Sequence, residues 1–230
     1  MCGGFSLEVT TGQLKGYYEI ELAPTDITPR YNIRPGQNVV AIRQDKDSGA
    51  RFADRLKWGL IPSWAKDEKI AYKTINARSE TVDQKPSYRS AFKRRRCLIP
   101  ATGFFEWKKV EGGKQPYNIR LKSGGIFSIA GLWERWEKGP AGALETFTIL
   151  TTTPNPLVAE IHDRMPVILP KDIHGDWLNP AIEGKTLKDL LVPYPADQME
   201  LWPVTTLVGN SRVDEPGLTE PLRDLFGQVE

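Results

Sequence analysis

The chain has 230 residues, of which 40% are hydrophobic and 26% are charged, a balance typical of a globular protein with one large or two small domains. Its net charge of +2 is too small to mark the whole surface as a nucleic-acid binder, so any such surface must be a local patch. There is no signal-peptide pattern and no apolar run of the ~20 residues that a membrane span needs, and we therefore expect a cytoplasmic protein with no membrane partner.

The predicted elements are mostly short strands. In chain order, strands are predicted over residues 39–44, 51–60, 97–109, 117–121, 126–133, 145–152 and 203–208, and the first two form a hairpin. Helices are predicted over residues 10–20, 88–96, 154–162, 170–178 and 187–191; residues 23–38 are predicted as a loop, and residues 73–78 are too mixed to assign. The pattern predicts an α+β fold, a single domain over residues 1–230 with an antiparallel sheet or barrel-like core and peripheral helices.

Position 2 carries the residue with the most distinctive chemistry. If Met1 is removed, Cys2 offers a free α-amine (reference pKa roughly 8) and a thiol (about 8.5) on adjacent carbons. Such a 1,2-aminothiol condenses with an aldehyde to a Schiff base, which the thiol then closes to a five-membered thiazolidine. The plainer alternative is a cysteine in a frayed terminus.

The second cysteine, Cys97, lies in an apolar, strand-like run and is predicted to be an inert core thiol. A disulfide with Cys2 stays open, although two cysteines do not make the framework of a secreted protein. The cysteines and the two histidines lack zinc-binding spacing, and there is no glycine motif for a nucleotide. We therefore expect neither a metal nor a cofactor.

Glu106 is the most interesting carboxylate because it lies between Phe105 and Trp107 in a strand-like run. Partial desolvation there would raise the pKa of the carboxyl group and allow proton exchange near neutral pH. The alternation of a strand equally predicts a glutamate that faces solvent while its neighbours face the core.

The other polar candidates also have two interpretations. His162 is either an acid or base of a site or a helix-end histidine stabilised by the helix dipole, and Asn76 either binds a substrate or satisfies a turn. Arg78 and Arg164 either hold phosphates or form surface ion pairs of small energy. The basic run at residues 93–96 is typical of a solvated helix face.

Several short motifs occur in register along the chain. They are MCG at the N-terminus, YNIRPG at 31–36, KWGLIPSW at 57–64, INARSE at 75–80, RCLIP at 96–100, GFFEW at 103–107, HDRMP at 162–166 and VGN at 208–210. Each motif alone is weak, but together they make the chain resemble the SRAP family, the SOS-response-associated peptidase domain, over about residues 2–212.

The resemblance implies a single domain that binds single-stranded DNA and forms a covalent thiazolidine cross-link with abasic sites once Met1 is removed. The residues to which it assigns a role are, for catalysis, Cys2, Asn76, Glu106 and His162 and, for DNA binding, Arg78, Arg164, Trp64, Trp107 and Asn210. It also implies some lyase activity and reversal of the cross-link. We expect a monomer that is associated with the nucleoid when bound to DNA.

One position departs from the resemblance, because the family commonly has arginine where this chain has Gly4. A phosphate contact from position 4 is therefore in question. Two other functions remain open. One is a cysteine-type peptidase that acts on its own Met1–Cys2 bond or on other proteins, as the family name suggests. The other is a non-catalytic DNA-binding adaptor.

Overall fold

Runs of Val, Ile and aromatic residues form the strands, because branched and aromatic side chains suit a pleated surface. The computed structural model describes residues 2–139 and 142–222. The strands, in chain order, are β1 (Phe5–Leu7), β2 (Arg30–Ile33), β3 (Asn38–Gln44), β4 (Arg51–Trp58), β5 (Asn76–Arg78), β6 (Arg96–Ala101), β7 (Gly103–Val110), β8 (Gly113–Leu121), β9 (Phe127–Trp136), β10 (Leu144–Thr152), β11 (Met165–Pro166), β12 (Ile168–Leu169) and β13 (Met199–Pro203).

The helices are short and lie between or after the strands. They are α1 (Thr11–Tyr18), α2 (Arg89–Arg94), α3 (Pro156–Ala159), α4 (His174–Leu178) and α5 (Lys185–Asp189), with 3-10 turns at Glu68–Lys73, Lys171–Ile173, Ala196–Gln198, Thr206–Gly209 and Pro216–Leu218. None of the helices in the described part of the chain has the length and apolar character needed to cross a bilayer.

Strands of the larger sheet close into a barrel. β3 pairs with β4 and β6, β6 pairs with β9, and β9 pairs with β10, all antiparallel. The ring closes where β10 runs parallel to β4, at the pairs Thr146–Lys57 and Phe147–Trp58. The rings of Trp58 and Phe147 stack there with centroids 6.0 Å apart. The predicted α+β fold with an antiparallel, barrel-like core is confirmed, and parallel pairing at β10 is an addition to it.

A second sheet, in the order β13–β8–β7–β1–β2, is antiparallel throughout and carries the N-terminal segment. β1 pairs with β7 through Phe5–Phe104, and the Phe105 amide donates to the Gly4 carbonyl at 3.0 Å. The sequence predicts neither β1 nor β2. β1 is only three residues long, and β2 lies within the proline-punctuated segment that is predicted as a loop.

The C-terminal half of β10 has a short strand on each edge. β5 pairs with it in parallel, through Asn76–Ile149 and Arg78–Thr151. β11 pairs with it in the antiparallel sense, through Pro166–Thr151. Because a strand has two hydrogen-bonding edges, one strand fixes the positions of two distant chain segments.

Helix α1 confirms the helix predicted over residues 10–20. The Thr10 side chain accepts from the Gln13 amide, and the Gln13 side chain accepts from the Thr10 amide, which is a capping box. The helix predicted over residues 154–162 is shorter in the structure, where it is α3. Its N-cap is Asn155, whose Oδ1 accepts from the Val158 amide at 2.9 Å.

Two strand predictions need correction. The strand predicted over residues 203–208 is wrong, because β13 ends at Pro203 and the Thr205 hydroxyl accepts from the Leu207 amide to begin a 3-10 turn. The strand predicted over residues 97–109 is two strands, β6 and β7. They separate at Thr102, whose amide donates to the Ser6 carbonyl at 2.8 Å.

Candidate functional site

Cys2 lies directly before β1, whose pairing with β7 draws the N-terminal segment into the protein. The side chain is 0% exposed, and its thiol is 3.9 Å from the Gly4 carbonyl oxygen. Burial, together with the negative charge of Glu106, raises the pKa of the Cys2 thiol to about 12. Cys2 is therefore enclosed by the protein and is not part of a frayed terminus, and its thiol is held in the protonated form.

Asn76 reaches Cys2 from β5. Its side-chain Nδ2 donates to the Cys2 carbonyl at 2.9 Å, while its backbone carbonyl accepts from the Tyr88 hydroxyl at 3.1 Å. Its Oδ1 is buried and has no hydrogen-bond donor among the described residues. The Asn76 side chain thus fixes the Cys2 backbone and keeps one buried acceptor available for another group.

Glu106 lies on β7 and is 1% exposed, so the solvent-facing interpretation is wrong. The reason is that both faces of β7 are covered. Phe104, two residues away and on the same face, belongs to the main core, whereas Phe105 packs on the opposite face in a second cluster with Val208 and Leu218. Burial raises the pKa of the Glu106 carboxyl group to about 7. This carboxyl group can both give and take a proton near neutral pH.

His162 follows α3 and turns its ring towards Glu106, with Nε2 3.8 Å from Glu106 Oε2. Its Nδ1 accepts the backbone N–H of Arg164 at 3.0 Å. The Asp163 carboxylate is also 2.9 Å from Nδ1, but that side chain is 83% exposed. A backbone N–H always donates, so we assign the proton of the neutral ring to Nε2, which faces Glu106. Burial lowers the pKa of the His162 imidazole, in keeping with a neutral ring.

The model of the family described as SOS response associated peptidase (SRAP) matches residues 1–211. This chain belongs to the SRAP family.

Relatives of this SRAP chain carry a common name. Abasic site processing protein YoqW from Bacillus subtilis is 45% identical over 96% of this chain and 99% of that protein. Abasic site processing protein HMCES from Gallus gallus is 35% identical over 79% of this chain and 61% of that protein. A crystal structure of a protein from Bacteroides thetaiotaomicron superposes with a TM-score of 0.86 at 29% identity, over 95% of this chain and 99% of that one.

Arg164 of the SRAP chain is buried, and its guanidinium is engaged in hydrogen bonds within the protein. It donates to both carboxylate oxygens of Glu80, at 2.5 and 2.9 Å, and to the Thr151 carbonyl at 2.7 Å. The hydrogen bond from Arg164 lowers the pKa of Glu80. Arg164 thus fastens the His162 loop to β10, and the phosphate contact predicted for it stays a prediction that would have to compete with Glu80.

The other residues predicted to bind DNA lie at varied depths. Arg78 is exposed at the end of β5. Trp64 is 56% exposed, with Nε1 3.4 Å from the Pro86 carbonyl oxygen, and Trp107 is half-buried on β7. Asn210 is exposed, and its Oδ1 accepts from the Arg212 amide at 3.1 Å. Their roles in DNA binding stay predictions.

Two residues of the YNIRPG motif support the site, although no local sequence pattern predicts a role for them. Asn32 is fully buried, and its Nδ2 donates to the carbonyls of Asn210 and Val213 at 3.0 and 2.9 Å. Arg34 donates to the Gly3 carbonyl at 3.1 Å. The motif itself was the only signal, because these contacts join segments that are distant along the chain.

The arrangement can perform proton transfer around a nucleophile. Asn76 contacts Cys2, His162 lies beside Glu106, and the charge of Glu106 acts on the Cys2 thiol. Cys97 lies elsewhere, and both cysteines are free. Within residues 2–139 and 142–222 of the SRAP chain, no group of three or more His, Cys, Asp or Glu side chains is arranged to hold a metal ion.

Proposed function

We propose that this protein processes abasic sites in single-stranded DNA by forming a covalent thiazolidine with them through Cys2, after removal of Met1. The observation that carries the proposal is the buried Glu106, whose pKa of about 7 and position beside the Cys2 thiol supply an acid and base for imine chemistry. The names of the relatives support DNA lesions of this class as the substrate.

The proposed reaction begins with the aldehyde of the ring-opened sugar. The Cys2 α-amine adds to the aldehyde carbon and gives a carbinolamine. Glu106 protonates the carbinolamine hydroxyl, which leaves as water and gives the iminium. The resulting Glu106 carboxylate takes the thiol proton as sulfur adds to the same carbon, which closes the ring. One water leaves in total, and Glu106 ends in the protonated form in which it began.

Asn76 and His162 have supporting roles in this proposal. Asn76 Nδ2 holds the Cys2 carbonyl, and its unoccupied Oδ1 would accept from the new α-amine or from the ring nitrogen. His162, with its Nε2 proton directed towards Glu106, would exchange protons with the sugar hydroxyl during ring opening. The same iminium permits β-elimination, so we expect weak lyase activity and slow reversal by water.

The deciding experiment uses protein whose loss of Met1 has been checked by intact mass. It is incubated with an abasic single-stranded oligonucleotide and analysed on a denaturing gel. Matched controls are the oligonucleotide with a normal base and one with a tetrahydrofuran analogue, which has no aldehyde. We expect a covalent band with the abasic strand alone, with a mass equal to the sum of both molecules less one water. Salt-sensitive binding without any covalent band would instead indicate the adaptor function.

A second candidate is autoproteolysis of the Met1–Cys2 bond, which is favoured by the proximity of the Cys2 thiol to Glu106. A thiol and a carboxyl group beside their own peptide bond could act in cis. Intact mass of Glu106→Gln, produced without a methionine aminopeptidase, tests this. Retained Met1 in the variant but not in the wild type would support autoproteolysis that depends on Glu106, and retained Met1 in both would contradict it. Cleavage of casein by the wild type would support a peptidase that acts in trans.

Binding should follow from contacts to the DNA backbone. We propose that the protein acts as a monomer on single strands, with Arg78 near phosphates and with Trp64 and Trp107 near bases, because exposed cations and aromatic rings bind strands without reading sequence. Cells should therefore hold it in the cytoplasm, on the nucleoid when DNA is damaged. Equal affinity for fully paired DNA in a salt titration would contradict this part of the proposal.

A further inference from the structure

The guanidinium of Arg34 lies against the backbone of the segment Cys2–Gly4. Its NH1 donates to the Gly3 carbonyl at 3.1 Å, and its Nε donates to Asn32 Oδ1 at 2.7 Å. NH2 donates to the Val208 carbonyl. The guanidinium carbon is 5.1 Å from the centre of the Trp107 ring, a cation–π distance. Arg34 is therefore fixed directly beside the nucleophile.

The same guanidinium fills the space that a side chain at position 4 would need. A Cβ built on Gly4 would lie 2.8 Å from Arg34 NH1 and 2.9 Å from its Cζ. These distances are shorter than carbon atoms tolerate, so an arginine at position 4 and the present position of Arg34 exclude each other. Gly4 is needed here for its missing side chain, because its φ is not in the left-handed region.

The positive charge of Arg34 has no carboxylate partner among the ion pairs of the described residues. Its three acceptors are neutral amide and carbonyl oxygens, which leave the charge uncompensated. A guanidinium has five N–H donors, so two remain beyond these bonds. Arg164 offers the contrast, because the Glu80 carboxylate neutralises it. Arg34 is also only half-buried, so an anion from solution can reach it.

We propose that Arg34 binds a phosphate of the DNA strand beside the abasic nucleotide, and that its guanidinium takes the place left open by Gly4. This inference rests on the proposed function. The chemistry favours it because an arginine fork with two unused donors and an uncompensated charge suits a phosphate oxygen, and because the fork adjoins the atoms that react. The cation comes from the loop that follows β2.

The test measures how salt weakens binding to a single strand that carries the unreactive tetrahydrofuran analogue. Each phosphate contact on a single strand contributes about 0.7 to the slope of log affinity against log salt. Arg34→Gln should therefore lower the magnitude of the slope by about 0.7. Between about 50 and about 200 mM salt, the affinity of wild type should fall by a factor roughly 2.6 times larger than the affinity of Arg34→Gln. Arg34→Lys keeps the charge and should keep most of the slope.

Relocating the cation gives the sharper result. In the double variant Gly4→Arg, Arg34→Gln, the new arginine enters the vacated volume, and we expect the wild-type slope to return. Gly4→Arg alone should bind the strand more weakly than the double variant, because two guanidinium groups then compete for one space. Arg135→Gln is the control. It removes an exposed charge on β9, and we expect the slope to stay unchanged.

The outcomes separate this inference from the proposed function. A wild-type protein without salt-dependent binding or a covalent band contradicts the proposed function itself. A normal wild type with an unchanged slope in Arg34→Gln, or with Arg34→Lys as impaired as Arg34→Gln, overturns the phosphate role alone. If Arg34→Gln does not fold, as judged by its thermal melt, Arg34→Met removes the same charge and is measured in its place, with the same loss of slope expected.

Discussion

Cys2 and Cys97 are buried alike, both 0% exposed and both free of a disulfide, yet their surroundings differ. Burial raises the pKa of both thiols. Cys97 pairs with Gly131 across β6 and β9 in the apolar core, and its carbonyl accepts from Trp177 Nε1 at 2.9 Å. Cys2 instead has Glu106 beside its thiol and becomes an N-terminal residue when Met1 is removed. Under the proposed function, burial alone does not decide which thiol reacts; the adjacent titratable group and the neighbouring amine distinguish Cys2 from Cys97.

The largest expected effect comes from removing the Cys2 sulfur. Cys2→Ala keeps an α-amine, so a transient Schiff base and some strand cleavage should survive, but no thiol can close the ring. We expect loss of the heat-stable adduct on a denaturing gel. Cys97→Ser is the matched control and should retain cross-linking. As much stable adduct from Cys2→Ala as from wild type would identify another nucleophile.

Removing the proton donor should have the next largest effect. Glu106→Gln keeps the shape of the side chain but cannot exchange a proton, and loss of a general acid–base group typically costs ~10²–10⁴-fold in rate. We expect slower cross-linking and slower reversal, with nearly unchanged affinity for the tetrahydrofuran strand. The measurement is a time course, followed by a chase with excess abasic competitor. Wild-type rates in both directions would make Glu106 a structural residue.

The pH dependence of stability gives an effect of intermediate size. The pKa of Glu106 is raised by burial from 4.5 to about 7 in the folded protein, so its protonated form is favoured by folding. This stabilisation is complete below about pH 4.5 and is lost as the pH rises through about 7, at a cost of up to about 3 kcal/mol. Glu106→Gln should therefore gain stability relative to wild type between about pH 5 and about pH 8. Urea unfolding measures this difference in the free energy of unfolding between variant and wild type. The same difference at about pH 5 and at about pH 8 would contradict the assignment.

The smallest effect should come from the core cysteine. Cys97→Ala removes one buried sulfur atom from the contact with Gly131, and we expect a loss of about 1 kcal/mol in the free energy of unfolding. The rate of cross-linking at a temperature well below the melt should stay as in wild type. A lower rate in a fully folded Cys97→Ala protein would show that the two cysteines are coupled.

Sequence patterns predicted the barrel strands because alternating apolar residues and turn residues act locally. The hairpin of β3 and β4 and the helix α1 are examples. The burial of Glu106 was not decidable from sequence, because alternation does not reveal whether the second face of a strand is covered. β5 was missed for a related reason: three residues carry too little pattern, and its position depends on pairing with a strand some seventy residues later.

The site residues divide in the same way. Cys2, Glu106 and His162 stand out by chemistry, and the structure places them together. The roles of Asn32 and Arg34 depend on where the chain returns near residues 208–213, and no local pattern contains that information. The pairing of Arg164 with Glu80 is equally non-local, since 84 residues separate the two.

The position of β10 between β5 and β11 also limits how this sequence can vary in length. Thr151 is in register with Arg78 on one edge and with Pro166 on the other, so it sets the spacing between the Asn76 strand and the His162 loop. A substitution in β10 changes one side chain, but inserting or deleting one residue there would move both segments and reverse the faces of the strand. Insertions should therefore be tolerated at turns such as Asp45–Gly49, whereas the length of β10 should be fixed among proteins that keep this site.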